Sequence, residues 1–280
     1  GDKDVQKVIE ILAVSATHGL SVPFDTLNRH PELDLMQMAR LDKLSKRLLD
    51  IFVIWQRRGH DTGDWHLSIK HAAIGLLLSR AIDSSEGDMP YKALLPLLER
   101  LSTKEEDLWF AQSLAYRLGQ NFKKRSPGFS LETDTLVQRS SRAIFNAIPN
   151  LVKSHSRSIR HHQGRYHIHV LRSCNEALIN PVRTSLDQSE VLEIANAEFE
   201  RATKYLNLAV EAHDESEPLS YIYNTFATAY FTLAESLKSI DSSRYSSIVD
   251  EALEFEDRAI KFDPGNGHAL FQIVNSILDV

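Results

Sequence analysis

Apolar residues recur at helical spacing along most of this chain and at strand spacing in one short region. From Val5 to Thr17, the residues Val5, Val8, Ile9, Leu12 and Ala16 fall three and four apart, which places them on one face of a helix that Gly19 closes. A short helical pattern from Phe24 to Arg29 ends before His30-Pro31, because proline disfavours a helical predecessor. A third runs from Leu35 to Leu49. The β-rich run Ile51 to Trp55, the turn residues Gly59 and Gly63, and a second run from Trp65 to Ile69 predict a hairpin, followed by a helix over Ala72 to Ile82. Beyond Pro90 the pattern predicts helices alone: Tyr91 to Leu101, Glu105 to Phe122, Leu131 to Ile148, Leu151 to His162, Tyr166 to Ile179, Val191 to Ala212, Leu219 to Ser239, Ser243 to Phe262 and His268 to Leu278. Thr103 with Glu106 and Ser185 with Gln188 fit capping boxes. Pro127-Gly128, Pro149 and Pro181 mark joints, and Gly164 is read as an interruption.

Three helices, a hairpin and a closing helix resemble a winged helix-turn-helix, with residues 1–84 as that domain and 85–280 as a helical-repeat domain. The resemblance implies a recognition helix near Leu35 to Leu49, carrying Arg40, Lys43, Lys46 and Arg47, with wing residues Arg57 and Arg58 on phosphate. No base-reading pattern is visible, and the same domain also reads as a structural spacer whose basic residues are solvated.

In the second region, Tyr223, Phe226, Ala227 and Tyr230 occupy one predicted helix, and Ala252, Ala259 and Pro264 the end of the next. Ala202, Leu206 and Ala209 stand one element earlier, and Leu270, Ile273, Val274 and Ile277 follow the proline. This pattern resembles tetratricopeptide repeats, in which helix pairs carry small residues where helices approach, aromatics between neighbours, and a proline where the second helix stops. Glu256 stands where Phe is usual, with Phe255 beside it, and the stretch from Tyr230 to Ala252 is longer than the consensus. Leu270 to Leu278 reads as a first helix lacking its partner, which either caps the array or, the favoured reading, belongs to an array that continues past Val280. The expected fold is therefore all-α, an α/α superhelix of tetratricopeptide-like hairpins, with a small N-terminal winged helix carrying a β-hairpin.

At 280 residues the chain can bury a sizeable core, and 42% hydrophobic with 25% charged content is that of a globular protein. A net charge of -6 and a pI near 6.1 argue against bulk attraction to nucleic acid or anionic membrane. The single cysteine, Cys174, excludes an intrachain disulfide and suits a reducing, cytoplasmic compartment. No apolar run suggests a membrane span and no signal peptide opens the chain, which starts at Gly1 and reads as a piece of a longer protein.

Phosphate-cradling, serine-nucleophile and zinc-protease motifs do not occur, so neither an enzyme nor a bound cofactor is expected. His155, His161, His162, His167 and His169 are five of the twelve histidines, with Cys174 close behind. No two of them are three or four apart, the spacing at which one helix aims two ligands at one ion, so no metal site is expected. The same region is free of acid between Asp134 and Glu176, while Arg139, Arg142, Lys153, Arg157, Arg160, Arg165 and Arg172 supply seven positive charges. Helical spacing puts Lys153, Arg157 and Arg160 on one face. Lys153, Arg157, Arg160, Arg165 and Arg172 form the expected partner-binding patch, whose alternative reading is a solvated basic face balancing acidic helices elsewhere.

A winged helix followed by a tetratricopeptide-like array resembles the C-terminal half of STAND proteins, the signal-transducing ATPases that include antiviral sensors. The pair Lys70-His71 before the closing helix of HLSIKHAAIGLLLSRAI is similar to that family as well. The resemblance implies an ATPase core upstream of Gly1, whose oligomerisation is released when the repeats capture a trigger. The chain is then a non-catalytic sensor or scaffold binding a protein ligand, within a signalling or antiviral-defence protein. The alternative is a transcription regulator with the winged helix on DNA and the array on a partner.

Overall fold

The computed structural model describes residues 2–33, 46, 53–58, 64–86, 90–124, 131, 135–180, 184–238, 240–267 and 270. The fold is mostly helical, and the chain divides into two compact units, one of residues 1–118 with 139–153 and the other of residues 119–138 with 154–280.

The first unit opens with α1 (Asp2–Thr17), whose apolar stripe Val8, Ile11, Leu12 and Ala16 is buried. Gly19 ends it at φ 67°, the left-handed turn that glycine adopts without a Cβ penalty. Next come β1 (Val22–Pro23), α2 (Phe24–Asn28), β2 (Val53–Arg58), β3 (Asp64–Ile69) and α3 (Ala72–Glu86). The three strands pair antiparallel in the order β1-β3-β2, with Val22 opposite Leu67 and the hairpin register running from Val53 opposite Ile69 to Arg58 opposite Asp64. α1 packs on α3 at Gly75, where an added Cβ would stand 2.5 Å from that of Ala16. The predicted helix over Leu35 to Leu49 lies outside the described residues apart from Lys46. Arg57 and Arg58 lie at the end of β2, opposite Trp65 and Asp64.

Residues 90–118 belong to this first compact unit, while the sequence reading places residues 85–280 in a helical-repeat domain. The predicted helix over Tyr91 to Leu101 is instead a 3-10 turn (Pro90–Leu94) and a short α4 (Leu95–Leu98), with Leu94, Leu97 and Leu98 fully buried. α5 (Glu105–Lys124) buries Phe110, Ala111, Leu114, Ala115 and Leu118 on one face. Its first turn is tied to α2 through Asp107, a fully buried carboxylate. Asp107 accepts hydrogen bonds from Thr26 Oγ1 (2.6 Å), Ser102 N (2.8 Å), Ser102 Oγ (2.6 Å) and the Arg29 guanidinium. Burial alone would push its carboxyl up, but Arg29, Ser102 and Thr26 outweigh it and hold the group below the usual carboxylate range. α6 (Leu136–Ala147) and α7 (Asn150–His155) follow.

The second unit is built on α8 (Arg157–Ile179), α9 (Gln188–Val210), α10 (Leu219–Leu237) and α11 (Ser242–Phe262). α8 packs along α9, α10 packs along α11, and α10 also rests on both α8 and α9. Two successive helical hairpins thus lie side by side, each covering an apolar face that the other could not bury alone. One layer joins Ile168, Ala202, Leu206, Ala209, Ile222, Phe226 and Ala229, with Tyr223, Tyr230 and Phe255 packed against it. A second joins Leu171, Cys174, Val191, Ala195, Leu233, Ala234 and Ile248. Phe255 stacks on Phe226 (centroids 4.6 Å apart, 7° between planes), and Tyr223 stacks on Phe262 at 5.4 Å.

The break expected at Gly164 is absent. Helix α8 runs through it, because Gly164 is where α9 comes closest: a Cβ there would lie 2.9 Å from two Leu206 side-chain carbons. The break falls instead at Ser156, in extended geometry, whose Oγ accepts from Ile159 N and caps α8. The capping box of α9 is Asp187 with Glu190 rather than Ser185 with Gln188. α11 stops at Phe262, and Gly265 N donates to Asp263 Oδ1 in the turn containing Pro264. The predicted final helix lies outside the described residues apart from Leu270, which is exposed. Among the described residues no helix is long and apolar enough to cross a membrane.

Candidate functional site on the histidine-rich helix

Helix α8 starts with orphan amides, and the segment joining α9 to α10 folds onto them. Asp214 Oδ1 accepts from Arg157 N (2.7 Å) and from Ser216 Oγ (2.8 Å), while Ser216 Oγ accepts from Ser158 N (3.1 Å). An acid at a helix N-terminus also favours the dipole. In return Asp214 N donates to His155 O (3.2 Å) and Arg157 Nη1 donates to Glu217 O (3.0 Å). This places the Glu217 side chain over the second turn of α8.

There Glu217 meets two adjacent imidazoles. His161 Nδ1 is hydrogen-bonded to Glu217 Oε2, and His162 Nε2 stands 3.7 Å from Glu217 Oε1. The two rings stack, with centroids 5.3 Å apart. His161 Nε2 lies 2.8 Å from Thr225 Oγ1, whose own proton goes to Tyr221 O at 2.8 Å. Thr225 therefore accepts from His161, which fixes the Nε2 proton of that ring. His162 is fully buried, and the absent side chain of Gly119 gives it room, since a Cβ there would lie 2.6 Å from His162 Nδ1. Arg165 Nη1 approaches the same Nδ1 at 3.5 Å.

One turn and a half further, His167 Nδ1 bonds Glu198 Oε2 at 2.6 Å and stacks on Tyr205, with centroids 5.3 Å apart. Burial would raise the Glu198 carboxyl, but His167 and Arg201 outweigh it and hold the group below its usual range. Cys174 is buried and unpaired in any disulfide, and burial pushes its thiol up to about 12, so it is an inert core residue.

Lys153 lies on α7 in the first unit, buried, with Nζ donating to Phe145 O at 3.1 Å. The Ser156 break separates it from Arg157 and Arg160, so the single-face spacing does not hold. Arg157 and Arg165 are half-buried, Arg160 lies over the Tyr205 ring at 5.9 Å, and Arg172 is exposed. The acid-free window is a property of the chain and not of the surface, because Asp214, Glu217 and Glu198 arrive from α9 and its following loop. Sequence spacing missed Glu217 for the same reason: it lies 56 residues from His161, and no local period links them. Ala227, Ala252 and Ala259 are fully buried.

Compared with protein-family models, with curated proteins and with solved structures, the chain matches none.

Proposed function

We propose that this chain is a non-catalytic protein-binding module, a tetratricopeptide-like array behind a winged-helix-like body, serving as the sensor part of a larger signalling or antiviral-defence ATPase of the STAND type. The observation that supports it most is the seating of α10 on both helices of the preceding hairpin, with Ala202, Phe226, Ala227, Ala252 and Ala259 buried along the contacts. Each hairpin in such an array needs its neighbour, and the stack leaves an extended surface for a macromolecular ligand. Arg160 and Arg172 are carried by α8, with Arg172 exposed, and two cations on one helix favour an acidic protein ligand. Peptide display on the immobilised chain is expected to enrich acidic sequences, and the double variant Arg160→Glu with Arg172→Glu to lower their affinity at least tenfold. Enrichment indifferent to charge and unchanged in that variant would remove the patch from the reading.

A transcription regulator is the second reading, supported by a small antiparallel sheet in the order β1-β3-β2 set among helices, which is compatible with a winged helix. A titration with mixed duplex DNA separates the two. Affinity falling steeply with salt supports the regulator, and no binding at low salt sinks it.

A further inference from the structure

The cluster His161, His162 and Glu217 has the geometry of a metal site, and we propose that it binds one zinc ion, which locks the segment joining α9 and α10 onto the second turn of α8. One ligand atom from each residue lies within 4.8 Å of the others, and His161 Nδ1 and His162 Nε2 are the nitrogens that face the Glu217 carboxylate. Tetrahedral zinc with ligands at about 2 Å sets neighbouring ligand atoms a little over 3 Å apart, close to the 3.7 Å between His162 Nε2 and Glu217 Oε1. Two imidazoles and a carboxylate are a donor set zinc takes, with water in the fourth position. Calcium and magnesium need more oxygens than the single carboxylate supplies.

The surroundings of His161 carry the argument further. A zinc-ligating histidine donates its remote N–H to a fixed acceptor, which orients the ring. His161 does so in advance: Nε2–H points at Thr225 Oγ1, held in turn by Tyr221 O, leaving Nδ1 toward Glu217. Zinc takes the place of the Nδ1 proton, which leaves to solvent. Glu217 is itself held from behind, through the Arg157 bond to its carbonyl and the Asp214 and Ser216 bonds to the first amides of α8. The positive neighbours Arg157 and Arg165 lower the affinity relative to an all-acid shell, and Arg165 must release His162 Nδ1 so that this nitrogen can carry the proton when Nε2 coordinates.

The full chain, stripped with a chelator, is titrated with Zn2+ against a chromophoric competitor, and with Co2+ for the intense visible bands of tetrahedral coordination. One ion per chain and a zinc-dependent rise in Tm are expected. Glu217→Gln, which keeps size and hydrogen bonding, is expected to lose at least a hundredfold in affinity, and Thr225→Val roughly 10–100-fold as a residue acting through His161. His167→Asn, at the other histidine-carboxylate pair, is expected to bind as wild type. Should His162→Ala not fold, Glu217→Gln decides the question, with circular dichroism confirming its helices. Wild-type affinity no tighter than that of Glu217→Gln, or an equal loss in His167→Asn, overturns the site.

Discussion

Glu256 lies on α11 in the row Ile248, Ala252, Glu256 and Ala259, fully buried, with no hydrogen-bond partner at either carboxyl oxygen among the described residues. Burial alone pushes the group from 4.5 up to about 8. The folded chain therefore holds a proton that the unfolded chain gives up as pH rises past about 4.5. Stability from this group is complete at low pH, falls through that window, and levels off once the folded group ionises near pH 8. Each pH unit removes about 1.4 kcal/mol, so from about pH 4.5 to pH 7 the loss reaches about 3 kcal/mol. We predict that Glu256→Met, which preserves volume and removes the polar group, stabilises the second unit by about 3–4 kcal/mol more near pH 8 than near pH 5. Glu256→Gln should flatten the pH profile yet keep about 1–3 kcal/mol of cost, because the amide stays unpaired. Urea unfolding reads this out. Trp55, Trp65 and Trp109 all lie in the first unit, so fluorescence follows that unit while far-ultraviolet circular dichroism reports both. A Glu256→Met gain independent of pH, or a loss of stability at every pH, would refute the reasoning.

Two further substitutions probe the packing. Asp107→Ala removes the shared acceptor of Thr26, Arg29 and Ser102, leaving a half-buried cation and two hydroxyls without it, and is expected to cost about 2–3 kcal/mol in the tryptophan-detected transition. Gly164→Ala would gain about 1 kcal/mol on an exposed helix, but its methyl meets Leu206, so we expect a loss of about 1–3 kcal/mol in the second unit by circular dichroism, and a gain would mean that α8 and α9 do not approach as closely as described.

The helices of the second unit were legible because long amphipathic segments carry their own period, and the predicted ends of α9 to α11 fall within a few residues of those observed, whereas α8 starts at Arg157 and not at the expected Tyr166. What escaped the pattern depended on partners distant in sequence. Gly164 looked like a breaker by its conformational freedom, yet close contact with Leu206 makes glycine the residue that fits. The two-residue strand β1 is too short to show alternation and exists only because β3 offers it a ladder. Phe255 was noted as the neighbour of the repeat position, and it is Phe255 that stacks on Phe226 while Glu256 takes the buried row. Residues 90–118 read as the start of a repeat domain because helical period says nothing about which body a helix packs on. Asp107 joins this stretch to α2 through Thr26 and Arg29. The candidate metal cluster was half visible, since two of its ligands are adjacent histidines, and its third arrives by a loop closure that no spacing rule encodes.

The division of the chain into units interleaved along the sequence, 1–118 with 139–153 and 119–138 with 154–280, has a practical outcome for dissection. No single cut yields either body whole. A fragment ending at Leu118 forfeits the returning strip 139–153, and one beginning at Ser154 forfeits 119–138, including the glycine that makes way for His162. Severing the two would require a rewired chain, such as a circular permutant, rather than a shorter one.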